Sequence, residues 1–185
     1  MTSIVGRAGG RTGGIPIERV IFDEQTIAQR VRELGDEITQ AYPDGELLVV
    51  GALKGSFIFL SDLVRAIDRP LQVDFLVASS YGSDKVSSGT VRLLYDPAIQ
   101  IEGRHLLLVE DIIDSGRTLR CLLDLLKVRA PLSLSVCALL DKHLMPSPPP
   151  EVRFVGFPAP PAFLVGYGLD YAEEYRHLPF IADLG

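Results

Sequence analysis

The chain has 185 residues, 47% of them hydrophobic, and a formal net charge of −6 at pH 7. This length fits one globular domain that buries roughly 70% of its unfolded surface, and the composition excludes a disordered chain. The acidic balance disfavours nucleic acid as the main partner, because a phosphate backbone requires a basic face. No apolar run approaches the ~20 residues that a membrane span requires.

The chain begins with a segment that differs from the rest in composition. Residues 1–14 contain five glycines and no hydrophobic periodicity, which predicts a disordered tail before a single domain over residues 15–185. A transit peptide is the alternative, disfavoured because amphipathic helical periodicity is missing. The cysteines, Cys121 and Cys137, are predicted to be buried thiols, since a disulfide framework or zinc site requires more ligands. We therefore expect a reducing, cytoplasmic location.

A short strand and a helix open the predicted domain. Residues 15–22 predict the strand, and Asp23 is the expected N-cap of the helix. The helix ends before a turn signal at residues 42–45. Its apolar stripe is expected to pack on a sheet and consists of Ile27, Val31, Leu34 and Ile38.

A buried strand is predicted over residues 47–50, with a glycine-containing loop at its carboxyl end. The next helix is expected to be capped by Ser56, with Phe57, Leu60, Val64 and Ile67 pointing inward. Ligands of open α/β sheets bind outside the carboxyl ends of the strands. Lys54 is therefore a candidate anion contact, although an ordinary surface lysine is an equally good interpretation of this residue alone.

Two further strands, over residues 71–78 and 91–95, are separated by a long polar loop. Residues 79–90 contain five serines and almost no apolar side chain. A hairpin normally needs 2–5 loop residues, so this length favours either a lid or a disordered insertion.

Residues 105–118 contain the most informative pattern. The apolar run 106–109 predicts a strand covered on both faces, and Glu110, Asp111 and Asp114 follow it. Small residues then lead into a helix with leucines at positions 119, 122, 123 and 126. Such a turn before a helix binds anions.

The three acids decide which anion suits this turn. They would repel a bare phosphate, but they suit a ligand that has hydroxyl groups and arrives with a divalent metal ion. A sugar phosphate with magnesium meets both conditions. The alternative is a strand end with solvated acids, at which Ser115 is an ordinary N-cap.

The rest of the chain gives weaker signals. Pro131 ends the helix, and the alternating residues 132–140 predict a strand followed by Asp141, Lys142 and His143. On its own, Lys142 is best interpreted as a solvated lysine. Phe163 lies in an apolar run, where an aromatic side chain usually belongs to the core.

Residues 109–118 closely resemble the ribose-phosphate signature of the type I phosphoribosyltransferases, and in detail that of the hypoxanthine-guanine phosphoribosyltransferases, Val-Glu-Asp-Ile-Ile-Asp-Thr-Gly-Lys-Thr. Ser115 and Arg117 replace a Thr and a Lys, which keeps the hydroxyl and the charge. Five motifs occur in the family's order over residues 17–183. The resemblance implies an α/β fold with a twisted, mostly parallel sheet, flanking helices and a small hood built from the two chain ends.

The resemblance also implies roles for individual residues, with Asp114 as the general base. The implied 5′-phosphate contacts are Asp114, Ser115, Gly116, Arg117 and Thr118. The implied pyrophosphate contacts are Lys54, in a loop whose Leu-Lys peptide is often cis, Gly55 and Arg176. The implied purine contacts are Lys142, Phe163, Leu164 and Asp170, and Ser80 and Tyr81 begin the implied lid. The implied ligands for Mg²⁺ are Glu110, Asp111 and Asp170, the first two also accepting from the ribose hydroxyls. His143 and Leu144 depart from the Arg-containing sequence frequent after this lysine.

The reaction implied by the resemblance belongs to purine salvage. It converts 5-phosphoribosyl 1-pyrophosphate and hypoxanthine or guanine into IMP or GMP plus pyrophosphate, in a homodimer or homotetramer. One alternative is a preference for xanthine or another base. A second alternative is an RNA- or DNA-binding regulator of the same fold, which the −6 charge and the retained Lys142, Phe163 and Asp170 disfavour.

Overall fold

A computed structural model of the protein describes residues 17–80 and 91–185, with the backbone only for residues 79, 80, 91 and 92. In chain order its elements are β1 (Arg19–Phe22), α1 (Glu24–Ala41), β2 (Leu47–Leu53), α2 (Phe57–Ala66), β3 (Gln72–Ser80), β4 (Val91–Tyr95), β5 (His105–Ile113), α3 (Arg117–Lys127), β6 (Ser133–Asp141), β7 (Val152–Pro158), β8 (Leu164–Val165) and β9 (Ile181–Asp183). The tail over residues 1–14 lies outside this description, so the division into tail and domain stays a prediction.

The main sheet has the strand order β4-β3-β2-β5-β6-β7. All neighbouring strands are parallel except β3 and β4. Alternate residues of the central strands face opposite layers: Val49 and Leu107 pack with α1 and α2, whereas Val50 and Leu108 pack with α3. The apolar runs are continuous because both faces of the sheet are covered. The predicted mostly parallel α/β fold is confirmed.

A second, three-stranded antiparallel sheet has the order β1-β9-β8. It joins residues near the start of the chain to residues at its end, with Arg19 opposite Asp183. Tyr175, Leu178 and Phe180 belong to its own apolar cluster. This sheet corresponds to the predicted hood.

The first helix matches its sequence signals. The Asp23 carboxylate accepts a hydrogen bond from the Thr26 backbone N–H at 2.8 Å, and the predicted stripe of α1 is buried.

No helix among the described residues is long and apolar enough to cross a membrane. Cys121 and Cys137 are not joined in a disulfide; Cys137 is fully buried, as predicted, whereas Cys121 is only partly buried.

The second helix matches its prediction only in part. Ser56 is the N-cap residue, but its side chain makes no capping hydrogen bond because its hydroxyl donates to the Ala52 carbonyl at 2.7 Å instead. Phe57 is the first helical residue and is 43% exposed, whereas Phe59 and Leu63 are buried. Leu60 and Ile67 are buried as predicted. Seven of the ten residues of this helix are apolar, so the sequence alone does not determine which of the apolar side chains face the sheet.

Candidate active site

The predicted site residues gather at one edge of the main sheet. Because β2, β5 and β6 are adjacent and parallel, their carboxyl ends lie at the same edge. Lys54, Asp114 and Lys142 are the first residues after these three strands. The Lys142 backbone N–H donates to the Ile113 carbonyl at 3.0 Å, which ties the last two strand ends together.

Residues 110–119 line a cavity of about 220 Å³. β5 continues to Ile113, so Glu110 and Asp111 belong to the strand and the turn before α3 is short. The N-cap of α3 is Gly116, in the left-handed region with φ +72°; Ser115 as an N-cap is wrong. The first N–H groups of a helix have no acceptor within it, so this turn can present several donors to an anion.

Burial governs the electrostatics of the two strand acids. Burial raises the pKa of Glu110 well above its ordinary value, and the neighbouring negative charge of Asp111 raises it further. Burial also raises the pKa of Asp111, while the Ile112 backbone N–H and the positive charge of Arg176 oppose this rise. The ionised acids are poorly solvated, so a cationic group placed beside them would be strongly stabilised.

Two glycines bring three chain segments into contact at this edge. A Cβ atom on Gly55 would lie 1.6 Å from Asp111 Oδ2, and one on Gly168 would lie 2.1 Å from the Gly55 carbonyl oxygen. Gly168 also has a φ of +103°. The loop after β2, the end of β5 and the segment after β8 therefore meet only because these positions lack side chains.

The predicted pyrophosphate contacts lie in one network of charges. The peptide between Leu53 and Lys54 is cis, as the family resemblance implied. Lys54 Nζ lies 3.0 Å from Glu173 Oε2, and Arg176 Nη2 lies 3.4 Å from the same oxygen. Arg176 Nη2 also contacts Asp170 Oδ1 at 2.8 Å.

Lys142 lies beside the predicted general base. Its Nζ is 3.7 Å from Asp114 Oδ2, and its side chain is largely buried, whereas that of Asp114 is exposed. The buried carboxylate of Asp141 accepts from the His143 backbone N–H at 2.8 Å and is 2.9 Å from His143 Nδ1. Both oxygens of Asp141 thus hold the residue that follows Lys142.

Phe163 is not a core residue in this structure. Its ring is 50% exposed and meets the Tyr171 ring edge to face, with centroids 5.6 Å apart. Leu164 is buried in β8, and the Phe163 carbonyl accepts from the Leu184 N–H at 3.1 Å. An apolar face is therefore available beside the predicted purine contacts.

The described residues do not form a complete metal cage. Within ranges 17–80 and 91–185, no three metal-binding side chains cluster tightly enough to hold an ion by themselves. Mg²⁺ usually retains several waters and binds one or two carboxylates together with substrate phosphates. The hard oxygen donors of Asp111 and Asp170 therefore fit an ion that arrives with a polyphosphate.

The predicted lid lies at the limit of the described chain. Ser80 is the last residue of β3, with its backbone alone described, and Tyr81 falls outside the described residues.

Several contacts at the site were not predicted from the sequence. Glu173 bridges two predicted pyrophosphate contacts, and Tyr167 donates to Asp62 Oδ2 at 2.6 Å, joining the site segment to α2. Burial and this acceptor raise the pKa of Tyr167 above its ordinary value. Asp141 could have been found, since an acid at the end of a buried strand beside a lysine is a recognisable signal. Glu173 and Tyr167 gave no such signal, because Lys54, which contacts Glu173, and Asp62, which contacts Tyr167, are more than a hundred residues away in the sequence.

Comparison with known proteins decides the family. The model of the phosphoribosyl transferase domain family matches residues 20–172. The chain belongs to the phosphoribosyltransferase family. It is 47% identical over 168 residues to the hypoxanthine-guanine phosphoribosyltransferase of Bacillus subtilis, which covers 91% of this chain and 93% of that one.

Two further relatives agree with this family membership. The hypoxanthine phosphoribosyltransferase of Escherichia coli is 46% identical over 164 residues, or 88% of this chain and 92% of that one. The crystal structure of a hypoxanthine phosphoribosyltransferase from Staphylococcus aureus matches with a TM-score of 0.87 and 38% identity, covering 100% of this chain and 96% of that one. The predicted family and its fold are confirmed, and the roles of single residues stay predictions.

Proposed function

We propose that this phosphoribosyltransferase acts in purine salvage. It transfers the 5-phosphoribosyl group from 5-phosphoribosyl 1-pyrophosphate to hypoxanthine or guanine, and the products are IMP or GMP and pyrophosphate. The observation that supports this proposal most directly is the cavity at residues 110–119, where partly buried acids border a helix N-terminus. A sugar phosphate matches both halves of this arrangement, because its hydroxyls suit the acids and its phosphate suits the helix.

The 5′-phosphate is proposed to bind in the turn that opens α3. Backbone N–H groups at a helix N-terminus point towards an anion, and the helix dipole favours its charge. Ser115 and Thr118 add hydroxyl donors, and both are exposed. Gly116 allows the tight turn because its φ is positive.

Glu110 and Asp111 are proposed to bind the ribose and to stabilise its transition state. The bond from ribose C1 to pyrophosphate breaks early, which leaves positive charge on a flattened sugar ring. Carboxylates that are poorly solvated stabilise such a charge without first giving up strong hydration. The same acids accept hydrogen bonds from the ribose hydroxyls in the ground state.

The purine is proposed to lie between Phe163 and the Lys142–Asp114 pair. Its N9 forms the new bond to ribose C1, while Asp114 takes or shares the N7 proton as general base. Lys142 donates to the exocyclic oxygen of a 6-oxopurine, which adenine lacks. The exposed ring of Phe163 offers a stacking face, and the backbone of Leu164 lies alongside it.

The leaving pyrophosphate is proposed to bind Lys54, Gly55 and Arg176. Asp170 and the acids of β5 would hold Mg²⁺, which when bound supplies further positive charge beside the leaving group. The carbonyl group of Gly55, the residue after Lys54, packs against Gly168. The two chain segments that contact pyrophosphate therefore also contact each other.

The enzyme is also proposed to act as a homodimer or homotetramer in the cytoplasm. Val73 and Phe75 project from one face of β3 and are both exposed, and Leu94 and Tyr95 on the neighbouring edge strand are exposed as well. A second copy of the chain would cover these apolar side chains. Light scattering after size-exclusion chromatography measures the number of subunits directly.

A coupled assay with four bases tests the proposed reaction. Purified protein is supplied with 5-phosphoribosyl 1-pyrophosphate, magnesium and hypoxanthine, guanine, xanthine or adenine, and pyrophosphate release is followed. We expect turnover with hypoxanthine or guanine, little with adenine, and none after magnesium is chelated. Preference for xanthine would correct the substrate, and no release with any base would favour the nucleic-acid-binding alternative.

A further inference from the structure

Glu173 occupies the two cations that are proposed to hold pyrophosphate. Its Oε2 lies 3.0 Å from Lys54 Nζ and 3.4 Å from Arg176 Nη2. Lys54 and Glu173 are far apart in the chain, and their side chains are 65% and 64% exposed. A carboxylate thus stands where the proposed function places a phosphate oxygen.

The backbone holds Glu173 in this position. Its N–H donates to Asp170 Oδ2 at 2.9 Å, and its φ of +69° lies in the left-handed region. The other oxygen of Asp170 contacts Arg176. The segment 170–176 therefore presents the carboxylate of Glu173 both to Arg176 of the same segment and to Lys54 of the loop after β2.

Arg176 keeps its place without Glu173. Its Nη1 donates to the Gly168 carbonyl at 2.8 Å, and its contact with Asp170 is shorter than that with Glu173. Its Nη2 group, which contacts Glu173 at 3.4 Å, can therefore donate to another anion in place of that carboxylate.

The exposed ion pair contributes little to folding, because solvent and salt screen it. Its chemistry is instead that of a replaceable anion: a carboxylate oxygen and a phosphate oxygen accept the same hydrogen bonds from ammonium and guanidinium groups. Binding of pyrophosphate must break the contacts of Glu173 first.

We propose that Glu173 is an internal substitute for pyrophosphate, which occupies Lys54 and Arg176 in the substrate-free enzyme and is displaced on binding. Glu173 thereby sets the affinity for the pyrophosphate group and assists its release. This inference rests on the proposed function, because that function assigns Lys54 and Arg176 to pyrophosphate.

The test compares Glu173→Gln with Glu174→Gln. Glu174 is the exposed neighbouring acid, and its backbone pairs with Tyr171, so the two variants change net charge equally. Isothermal titration with inorganic pyrophosphate and magnesium should show about two- to five-fold tighter binding for Glu173→Gln than for wild type. Glu174→Gln should bind as wild type does, and the gain of Glu173→Gln should shrink in high salt.

A second measurement asks whether Glu173 acts through Lys54. In a Lys54→Met background, Glu173→Gln should improve pyrophosphate binding less than it does in the wild-type background. Equal improvement in both backgrounds, equal improvement by Glu174→Gln, or weaker binding by Glu173→Gln would each overturn the inference.

Failure of the proposed function gives a different result. Wild-type protein that neither binds pyrophosphate nor releases it from 5-phosphoribosyl 1-pyrophosphate would overturn the pyrophosphate assignment and the inference together. Wild-type turnover with unchanged pyrophosphate affinity in Glu173→Gln would overturn the inference alone.

Discussion

The two segments that supply most of the site are held in different ways. Residues 110–118 begin with the end of β5, which pairs with β2 as far as Val109 and with β6 as far as Ile113, so hydrogen bonds to β6 set the backbone of Glu110 and Asp111. Residues 166–176 have only two isolated bridges, Gly166 to Leu169 and Tyr171 to Glu174. Here backbone hydrogen bonds within the loop, such as that from the Gly168 N–H to the Arg176 carbonyl at 2.9 Å, hold the backbone together with ion pairs.

The two sides of the site are therefore expected to respond differently when substrate binds. The acids proposed to face the sugar lie at the end of a central strand, where a small displacement disturbs the packing of the core. The Lys54–Glu173 ion pair on the proposed pyrophosphate side is exposed and contributes little to stability, so it exchanges partners easily. We expect the sugar side of the site to be preformed and the pyrophosphate side to rearrange on binding.

The largest expected effect comes from the preformed side, in Asp114→Asn. The amide keeps the shape of the side chain but cannot take a proton, so kcat should fall about 10²–10⁴-fold. Steady-state kinetics at saturating substrates measure this loss, and circular dichroism checks the fold. Asp124→Asn, an exposed change on α3, is the matched control. Unchanged turnover in Asp114→Asn would make Asp114 an ordinary loop acid.

Gly55→Ala tests the contact between the two segments, because Gly55 packs against Asp111 of the first and Gly168 of the second. The added methyl would lie 1.6 Å from Asp111 Oδ2, so the loop or the acid must move. A displacement of about 1 Å at a reacting centre can cost 10²-fold in rate, and we expect kcat/KM for 5-phosphoribosyl 1-pyrophosphate to fall on that scale.

Gly103→Ala is the control for this change. Gly103 has a φ of +75° and open space around its Cα, so alanine there should reduce stability by about 1 kcal/mol and leave kcat/KM unchanged. Equal kinetics for Gly55→Ala and wild type would show that the contact between Gly55 and Asp111 is not needed for catalysis.

Lys142→Ala should produce a smaller and more selective loss. A hydrogen bond from a charged donor contributes about 1.5–3 kcal/mol, so discrimination against adenine should fall about 10- to 100-fold, while binding of the 5′-phosphate changes little. The measurement is kcat/KM for hypoxanthine and for adenine, with affinity for ribose 5-phosphate alongside. Lys127→Ala, which removes a lysine paired with Glu151, is the control. Parallel losses of adenine discrimination and phosphate affinity would remove Lys142 from base recognition.

The same comparison explains which features the sequence predicts. Residues 105–118 form a continuous segment of a regular strand, turn and helix, so their pattern determines their structure. Leu119, Leu122 and Leu126 are buried as predicted, because the polar residues between them leave a single apolar face. In α2, by contrast, seven of ten residues are apolar and extend beyond one face, and the predicted inward position of Phe57 was wrong.

The pyrophosphate side could be predicted only by resemblance. Non-glycine residues with positive φ, including Tyr167, Glu173 and Tyr175, direct the backbone of this segment. Local sequence does not specify that conformation, since it is unfavourable for these residues and persists through contacts with distant parts of the chain. The Lys54–Glu173 pair is such a contact, so no spacing rule reveals it.

The smallest expected effect is on the free energy of unfolding, which the ionised Glu110 carboxylate is expected to lower. Because burial raises the pKa of Glu110, the folded protein binds its proton more tightly than the unfolded chain does. Unfolding stability therefore falls as the pH rises from the ordinary value near 4.5 through the raised one. The amide of Glu110→Gln cannot ionise, so this variant should stabilise the substrate-free protein at pH 8 relative to the wild type.

Thermal unfolding without magnesium should show this gain as a higher Tm for the variant than for the wild type at pH 8. At pH 4.5 and below, the gain should shrink, because Glu110 is then protonated in the folded state of the wild type as well. Glu102→Gln removes an exposed acid and should change stability by less than about 0.5 kcal/mol at either pH. A loss of stability in Glu110→Gln at pH 8 would mean that the Glu110 carboxylate already has stabilising partners in the folded protein. The ionised acid would then not destabilise the substrate-free protein, and the idea that it awaits a cation would be wrong.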